Sequence, residues 1–263
     1  MPYVKVNGYN IYYEIHGDGE PVILLNGILA NTTSWSLQVP ALINNGFKVI
    51  LMDFIGQGKS DKPMIKYNME MHADFVKGLL DHLGIDKVNV VGISYGGEVG
   101  LIFTLKYQEM VKSLTTICSI SKVNRVIKAM ADRWLLAARF KSGRFLFQIM
   151  YPDIYSDEFI ENKWEFIQST APNFDLVDFD AFIELLKSFM ELDITDKLHK
   201  IKVPTLVIAA AGDKIKPIKY VKIIHEKIEG SVFKVIEDAG HLVIWEKPEL
   251  VNNVLINFLK SRN

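Results

Sequence analysis

A serine in this sequence has the setting that nucleophilic acyl transfer requires. Ser94 is the centre of Gly92-Ile93-Ser94-Tyr95-Gly96, which lies between a predicted strand and a predicted helix. A serine oxygen presented above a sheet needs a sharp strand-to-helix turn, and only glycines fit beside a backbone that is so crowded. The start of the helix also leaves free backbone N–H groups near the serine. The pattern therefore predicts that Ser94 is a nucleophile.

A serine hydroxyl reacts poorly at neutral pH unless a base accepts its proton and an acid orients that base. His241 follows the last predicted strand, and Asp213 follows the strand before it. Both residues should lie at the same carboxyl edge of the sheet as Ser94, where open α/β sheets bind ligands. We therefore predict a triad of Ser94, His241 and Asp213. Asp238 is an alternative acid, although it precedes His241 by only three residues.

Acyl transfer also needs N–H donors for the oxyanion that forms on the substrate. One donor is expected at Tyr95, the first residue of the helix that follows the serine. The other is expected in the turn after the third predicted strand, at Ile28. We predict that the backbone N–H groups of Ile28 and Tyr95 form the oxyanion hole.

The elements that must position these residues alternate between strands and helices, which predicts an α/β fold with a mostly parallel central sheet flanked by helices. Strands are predicted at residues 3–6, 11–15, 21–25, 47–52, 87–91, 111–118, 204–209 and 232–236, and the first two form a hairpin. Helices are predicted at residues 35–43, 68–83, 95–107, 218–228 and 248–259.

The alternation stops between residues 119 and 192, where aromatic residues are frequent and no buried strand is predicted. This segment is predicted to form an inserted helical cap, and residues 1–118 and 193–263 are predicted to form the α/β core around it. Most of the cap aromatics are expected to pack within the cap and against the core. A few of them are expected to line an apolar cavity together with Ile28 and Tyr95.

The bulk composition excludes several classes of protein. Of 263 residues, 49% are hydrophobic and 23% are charged, and the net charge is −1. This balance gives no reason to expect a nucleic-acid partner or a polybasic membrane anchor. The single cysteine, Cys118, is expected to be buried in a strand, and the N-terminus has no signal-peptide pattern. A cytoplasmic location is therefore expected, and oligomeric state is left open.

Beyond these residues, the sequence resembles the α/β-hydrolase superfamily over nearly its whole length, in the branch of small esterases, lactonases and enol-lactonases. The resemblance rests on five segments: Asn26-Gly27 after a strand, the loop at 52–63, the turn at 92–97, the strand at 203–208 leading to Asp213, and Gly240-His241 followed by Glu246-Lys247-Pro248. Two positions depart from the usual pattern. Asn26 stands where many relatives carry histidine, and Phe54-Ile55 stand where arginine often follows the aspartate. Gly56-x-Gly58 favours a nucleotide loop only weakly, because Asp61 replaces the third glycine.

The resemblance and the predicted triad together imply a serine hydrolase that cleaves a small or medium apolar ester, thioester or lactone, without a metal or an organic cofactor. Its expected partner is a small-molecule substrate. Two alternatives use the same fold. One is another reaction on the same triad, either carbon–carbon bond hydrolysis of a dienoic diketone or cofactor-free haloperoxidase-like activity. The other is a ligand-sensing protein that turns over slowly and signals through a partner.

Overall fold

A single twisted sheet forms the centre of the computed structural model, which describes residues 2–261. Its strands are β1 (Tyr3–Val6), β2 (Tyr9–His16), β3 (Glu20–Leu25), β4 (Phe47–Met52), β5 (Val88–Ile93), β6 (Val111–Ile117), β7 (Thr205–Ala210) and β8 (Val232–Ile236). They are ordered β1-β2-β4-β3-β5-β6-β7-β8. Strand β2 pairs antiparallel with β1 and β4, and all other pairs are parallel. The predicted α/β fold is confirmed.

Helices cover the sheet and fill the long connection between β6 and β7. They are α1 (Val39–Ile43), α2 (Met69–His82), α3 (Tyr95–Lys106), α4 (Arg125–Ala138), α5 (Gly143–Ile154), α6 (Asp157–Asn162), α7 (Trp164–Thr170), α8 (Phe179–Met190), α9 (Ile218–Lys227), α10 (Val243–Glu246) and α11 (Pro248–Lys260). Among the described residues, no helix has the length and apolar character needed to cross a membrane.

Strand β5 and the helix that follows it are almost completely buried. All six residues of β5 are buried, as are the first ten residues of α3, from Tyr95 to Thr104. A strand covered on both faces is expected to be a continuous apolar run, and Val88–Ile93 is close to one. This burial fixes the point where β5 turns into α3, which is where Ser94 lies.

The predicted helix at residues 35–43 is wrong in its first half. The structure has a 3₁₀ turn at Thr32–Trp35 and then the short helix α1, which begins at Val39. Pro40 explains the late start, because proline lacks an N–H and is tolerated only in the first turn of a helix. Trp35 is fully buried and donates its indole N–H to the Asn26 side chain at 2.9 Å.

The segment predicted as a cap consists of α4 to α8. Its two ends meet at an antiparallel bridge between Lys122 and Asp193. Buried cap residues such as Trp134 and Phe189 belong to the same apolar cluster as Leu25 of the sheet. The aromatic side chains of the cap therefore pack mainly against one another and the core. That residues 119–192 form a separate cap domain stays a prediction.

Candidate active site

Ser94 occupies a strained turn between β5 and α3. Its φ of 55° and ψ of −124° lie in a region that non-glycine residues rarely adopt. A Cβ added to Gly92 would lie 2.4 Å from the Gly96 carbonyl oxygen, and one added to Gly96 would lie 2.1 Å from the Leu25 oxygen. These contacts explain why the turn has glycine on both sides of the serine.

The structure brings the three predicted side chains together in a chain of hydrogen bonds. His241 Nε2 lies 2.9 Å from Ser94 Oγ, and His241 Nδ1 lies 2.8 Å from Asp213 Oδ2. All three residues are buried, with Ser94 and His241 each 8% exposed. The distances allow the serine to donate to the imidazole and the imidazole to donate to the carboxylate.

Asp213 is held as a carboxylate by donors on both of its oxygens. Burial alone would raise the pKa of Asp213, but the charge and the hydrogen bond of His241, together with the backbone N–H of Lys216, hold it below the usual value. Oδ1 accepts hydrogen bonds from the N–H groups of Ile215 and Lys216, each at 2.8 Å. Both oxygens are thus fixed, which orients the carboxylate toward the imidazole.

Cys118 contributes a further contact to this carboxylate. The thiol is fully buried just after β6, where its φ is 47°, and its sulfur lies within 4.8 Å of the Asp213 carboxylate. Burial and the negative charge of Asp213 raise the pKa of Cys118, so the side chain is a protonated thiol next to the carboxylate. The sequence predicted a buried cysteine but gave no sign of this contact.

Asp238, the alternative acid, is exposed and has a φ of 52°. The hydrogen bond from the imidazole goes to Asp213, as the order of the strands predicted.

The two predicted oxyanion donors lie beside the serine. Within residues 2–261, neither the N–H of Ile28 nor that of Tyr95 donates a hydrogen bond, and both residues line a cavity that also contains Ser94. Tyr95 is the first residue of α3, where helical N–H groups have no partner within the helix. A Cβ on Gly27 would lie 3.6 Å from Ser94 Cβ, so the turn of Ile28 is next to the nucleophile. Their role in binding an oxyanion stays a prediction.

The two departures from the usual pattern have local structural explanations. Asn26 is fully buried, donates to the Met52 carbonyl at 2.8 Å and accepts from Trp35, so it ties the Gly27 turn to β4. Phe54 packs edge-on against Tyr95, with ring centres 6.0 Å apart. Both side chains support the turn and the helix that carry the predicted oxyanion donors.

The glycine-rich loop after β4 closes on a carboxylate of the chain itself. Asp53 accepts hydrogen bonds from the N–H groups of Thr32 at 2.7 Å and Lys59 at 2.8 Å. A Cβ on Gly58 would lie 2.1 Å from Asp53 Oδ2. The glycine thus makes room for Asp53, which accounts for the Gly56-x-Gly58 spacing without a nucleotide.

Sequence reasoning missed a buried ion pair on the other side of Ser94. Lys216 Nζ forms an ion pair with Glu98 Oε1 and lies 3.1 Å from Ser94 Oγ. The side chains are 2% and 0% exposed. A signal was present, because Glu98 is a charge at the start of a helix whose apolar residues predict complete burial, and a buried carboxylate needs a cation.

Two cavities adjoin the predicted oxyanion turn, and Ile28 lines both. The small cavity has a volume of about 20 Å³, room for one water-sized molecule. It is lined by Ile28, Ser94, Tyr95, Met130, Trp134, Leu186, Phe189, Ile215 and Lys216. The large cavity has a volume of about 520 Å³ and lies between the loops after β3 and β4, helices α5, α7 and α8, and the segment that follows His241.

One carboxylate ties the insertion to the loop of the predicted catalytic histidine. Glu246 Oε2 accepts hydrogen bonds from Ser156 Oγ at 2.6 Å and from Gly240 N–H at 3.0 Å. Burial raises the pKa of Glu246, and these hydrogen bonds oppose that rise. A Cβ on Gly240 would lie 2.4 Å from Ser156 N, so the two segments are in direct backbone contact.

Among the described residues, one group of side chains has the composition to bind a metal ion. Ligand atoms of Cys118, Asp213 and His241 lie within 4.8 Å of one another. A metal there would compete with the hydrogen bond between Asp213 and His241, so it would displace the triad contact instead of supplementing it.

Comparison with known proteins agrees with this geometry. The family model described as alpha/beta hydrolase fold matches residues 20–141. An alpha/beta hydrolase enzyme from a Medee basin deep-sea metagenome library is 30% identical, with a TM-score of 0.93 over 98% of this chain and 97% of that one. A thermophilic esterase from Thermogutta terrifontis is 28% identical, with a TM-score of 0.89 over 99% and 97% of the two chains. The 2-hydroxy-6-oxo-6-phenylhexa-2,4-dienoate hydrolase of Comamonas testosteroni is 26% identical over 98% of this chain and 93% of its own length.

Each of these proteins is matched over almost its entire length, so the likeness includes the sheet, the strand-to-helix turn and the helical insertion. With a full-length relative at 30% identity and the same order of elements, the chain belongs to the alpha/beta-hydrolase fold family.

Proposed function

We propose that the protein hydrolyses small carboxylic esters, thioesters or lactones through an acyl-enzyme on Ser94. The observation that carries the proposal is the unbroken chain from Asp213 Oδ2 to His241 at 2.8 Å and from His241 to Ser94 Oγ at 2.9 Å. A serine within hydrogen-bond reach of a base, which is oriented by a buried carboxylate, is the arrangement that acyl transfer requires.

The first half of the reaction forms the acyl-enzyme. Ser94 Oγ bonds to the substrate carbonyl carbon while His241 Nε2 takes the hydroxyl proton. The carbonyl π electrons move to oxygen, where the N–H groups of Ile28 and Tyr95 stabilise the charge. The tetrahedral adduct then collapses, the bond to the leaving oxygen or sulfur breaks, and His241 returns the proton to that atom. Asp213 keeps the imidazole in the correct tautomer throughout.

The second half regenerates the enzyme. A water molecule gives a proton to His241 and bonds to the acyl carbon. The resulting tetrahedral adduct expels Ser94 Oγ, which takes the proton back, and the carboxylic acid leaves. The resemblance to a thermophilic esterase supports ester substrates, and the apolar side chains of the small cavity support an acyl group that is not charged.

The test combines covalent labelling with turnover. A fluorophosphonate should label the wild-type protein once, at Ser94 by peptide mass spectrometry, and Ser94→Ala should lose both labelling and hydrolysis of p-nitrophenyl butyrate. We expect kcat/KM to fall by about 10³-fold or more. Ser169→Ala is the matched control, because Ser169 is exposed on α7 and bonds only within its own helix.

The same panel separates the alternatives. Near-normal hydrolysis by Ser94→Ala would remove the proposed nucleophile. Cleavage of a dienoic diketone with no turnover of any ester would favour carbon–carbon bond hydrolysis. A persistent acyl adduct on Ser94 with no measurable turnover would favour a ligand sensor.

A further inference from the structure

The buried ion pair next to Ser94 is not needed for the triad. Lys216 lies three residues after Asp213 in the loop between β7 and α9, and Glu98 lies in the first turn of α3. Lys216 Nζ contacts Glu98 Oε1, lies 3.1 Å from Ser94 Oγ and lies 5.0 Å from the centre of the Phe189 ring. Among residues 2–261, Glu98 Oε1 and Ser94 Oγ are the oxygen atoms that accept from the Lys216 ammonium. An ammonium has three N–H groups, so one of them has no oxygen acceptor.

Lys216 and Ser94 line a cavity whose other side chains are mostly apolar. The two other polar side-chain groups in the lining of the small cavity are directed elsewhere. The hydroxyl of Tyr95 lies 3.4 Å from Ser188 Oγ, and the indole N–H of Trp134 bonds to Asp153 at 2.9 Å. Within the described residues, Lys216 is therefore the side chain in this lining that has an N–H group without an acceptor.

The small cavity lies on the acyl side of the reacting carbonyl. It is lined by Ser94 and by both predicted oxyanion residues, but not by His241. Because His241 must protonate the leaving group, that group has to lie next to the imidazole, and the acyl chain has to extend away from it. A volume of about 20 Å³, bounded by Met130 and Phe189 of the cap, has room for one water-sized group. It therefore fits an atom attached next to the carbonyl, and a longer acyl chain has to displace these cap side chains.

The electrostatics favour a neutral oxygen over a carboxylate. Lys216 and Glu98 together carry no net charge, and Asp213 adds a negative charge nearby. Glu98 Oε2 is buried with no hydrogen-bond partner in residues 2–261, so no further donor offsets its charge. A substrate carboxylate would be a third buried anion with one cation, whereas an uncharged oxygen needs only the spare N–H.

The contact with Ser94 also changes during the reaction. In the free enzyme Ser94 Oγ accepts from Lys216, but in the acyl-enzyme this atom is an ester oxygen, which is a weaker acceptor. The N–H that it releases can then bond to an oxygen of the acyl group. Since Nζ and Oγ are only 3.1 Å apart, such an oxygen must be attached one or two carbons from the carbonyl.

We infer that Lys216 is a specificity-determining residue that selects esters with a short acyl group bearing an uncharged oxygen, such as an alkoxy, hydroxy or oxo group, on the carbon next to the carbonyl. The inference rests on the proposed ester hydrolysis and goes beyond it by naming the acyl class. It assigns to the Lys216–Glu98 pair a role in substrate recognition that a purely structural ion pair would not have.

The test compares two acyl groups of equal size. p-Nitrophenyl methoxyacetate and p-nitrophenyl butyrate differ only by an oxygen in place of a methylene, and each kcat/KM is divided by the hydroxide-catalysed rate of the same ester. We expect a normalised preference for methoxyacetate of about tenfold or more, as for a hydrogen bond to a charged group. The preference should be smaller for 3-methoxypropionate over valerate, and p-nitrophenyl hemisuccinate should react more slowly than valerate.

Variants then link the preference to the lysine. Lys216→Met combined with Glu98→Leu, which leaves no lone buried charge, should bring the normalised ratio to about one. Glu98→Gln keeps the lysine and should keep the preference. A wild-type ratio near one, or a ratio that the double variant leaves unchanged, would overturn the inference. If the double variant does not fold, the wild-type ratio and its dependence on oxygen position decide.

The outcome is separable from that of the proposed function. Failure to hydrolyse either ester in a Ser94-dependent way would end the proposed function. Ser94-dependent hydrolysis of both esters at their intrinsic ratio would end only the role of Lys216.

Discussion

Two buried ionic arrangements contact Ser94, and they differ in how completely their polar atoms are paired. On one side, both oxygens of Asp213 accept hydrogen bonds, and His241 links the carboxylate to the serine. On the other side, Glu98 Oε1 accepts from Lys216 and from the Ile120 N–H at 3.2 Å, whereas Oε2 has no partner among the described residues.

The difference means that the Asp213 carboxylate has a fixed orientation, whereas burial of the Glu98 carboxylate lowers the stability of the fold. The Asp213 side has one geometry, because Oδ1 is restrained by the backbone N–H groups of Ile215 and Lys216 and Oδ2 is restrained by His241. The Glu98 side holds two charges away from water with one oxygen unpaired, and such pairs contribute little net stability compared with apolar residues of similar volume. The contribution of the Lys216–Glu98 pair to stability therefore does not explain why it lies beside Ser94. A role in substrate recognition would explain this position.

The largest expected effect is a loss of kcat/KM when Asp213, whose oxygens are both paired, is changed. Asp213→Asn should lower kcat/KM for p-nitrophenyl butyrate by about 10³- to 10⁴-fold, because an amide stabilises the wrong imidazole tautomer. Steady-state kinetics with circular dichroism measures the loss and shows whether the fold is retained. Asp238→Asn is the matched control and should change kcat/KM little, since asparagine tolerates the positive φ of this exposed position. A large loss in the control instead would reassign the acid.

Changes to the Lys216–Glu98 pair should alter the free energy of unfolding. Lys216→Met alone leaves the Glu98 carboxylate buried without its cation, and we expect a loss of about 3 kcal/mol in the free energy of unfolding. Adding Glu98→Leu should restore most of that loss. Urea denaturation of both variants measures the difference. Equal destabilisation of the single and double variants would mean that packing, not the unpaired charge, determines the cost.

A third buried polar group, His72 on α2, makes the free energy of unfolding dependent on pH. Its ring is fully buried among Phe54, Tyr67 and Tyr95, and neither ring nitrogen has a partner in residues 2–261. Burial lowers the pKa of His72 from 6.5 to about 3. Between these values the unfolded chain binds a proton that the folded chain does not, so the folded state loses stability as the pH falls below 6.5.

His72→Leu should remove this loss. The free energy of unfolding of the variant minus that of the wild type should increase by about 1.4 kcal/mol for each pH unit below about 6. Urea denaturation at pH 7.0, 5.5 and 4.5 measures the difference, in which the titration of other groups cancels. A difference that is independent of pH would show that the imidazole is protonated in the folded protein.

The smallest effect is expected at Cys118, which adds one weak donor to an already paired carboxylate. Cys118→Ala should lower kcat/KM about two- to fivefold, because one neutral hydrogen bond is lost while those from His241 and the backbone remain. Cys118→Ser keeps a donor of similar size and should recover part of the activity. Identical rates for both variants would assign Cys118 to packing alone.

The sequence was sufficient to predict the approach of side chains whose positions follow from the order of the strands. Ser94, Asp213 and His241 each come directly after a strand, and parallel strands end at one edge of the sheet, so their approach could be predicted from the chain order. The glycines of the turn were readable because only a crowded backbone needs them.

The remaining features depend on tertiary contacts that local patterns do not encode. Lys216 and Glu98 meet across 118 residues of chain, through the packing of α3 against the loop after β7. The approach of Cys118 to Asp213 depends on the pairing of β6 with β7. The helix predicted at residues 35–43 begins only at Val39, because Pro40 is tolerated in the first turn of a helix and not in its interior.

The contact of Glu246 with Ser156 and Gly240 limits how the helical insertion can move. Near Ser156 the insertion is joined to the histidine loop by buried hydrogen bonds and close backbone packing, whereas Met130 and Phe189 meet the small cavity through apolar contacts that can slide. A larger guest would therefore displace Met130 and Phe189 more readily than the segment around Ser156. His241 would keep its hydrogen bond to Ser94 while the small cavity widens.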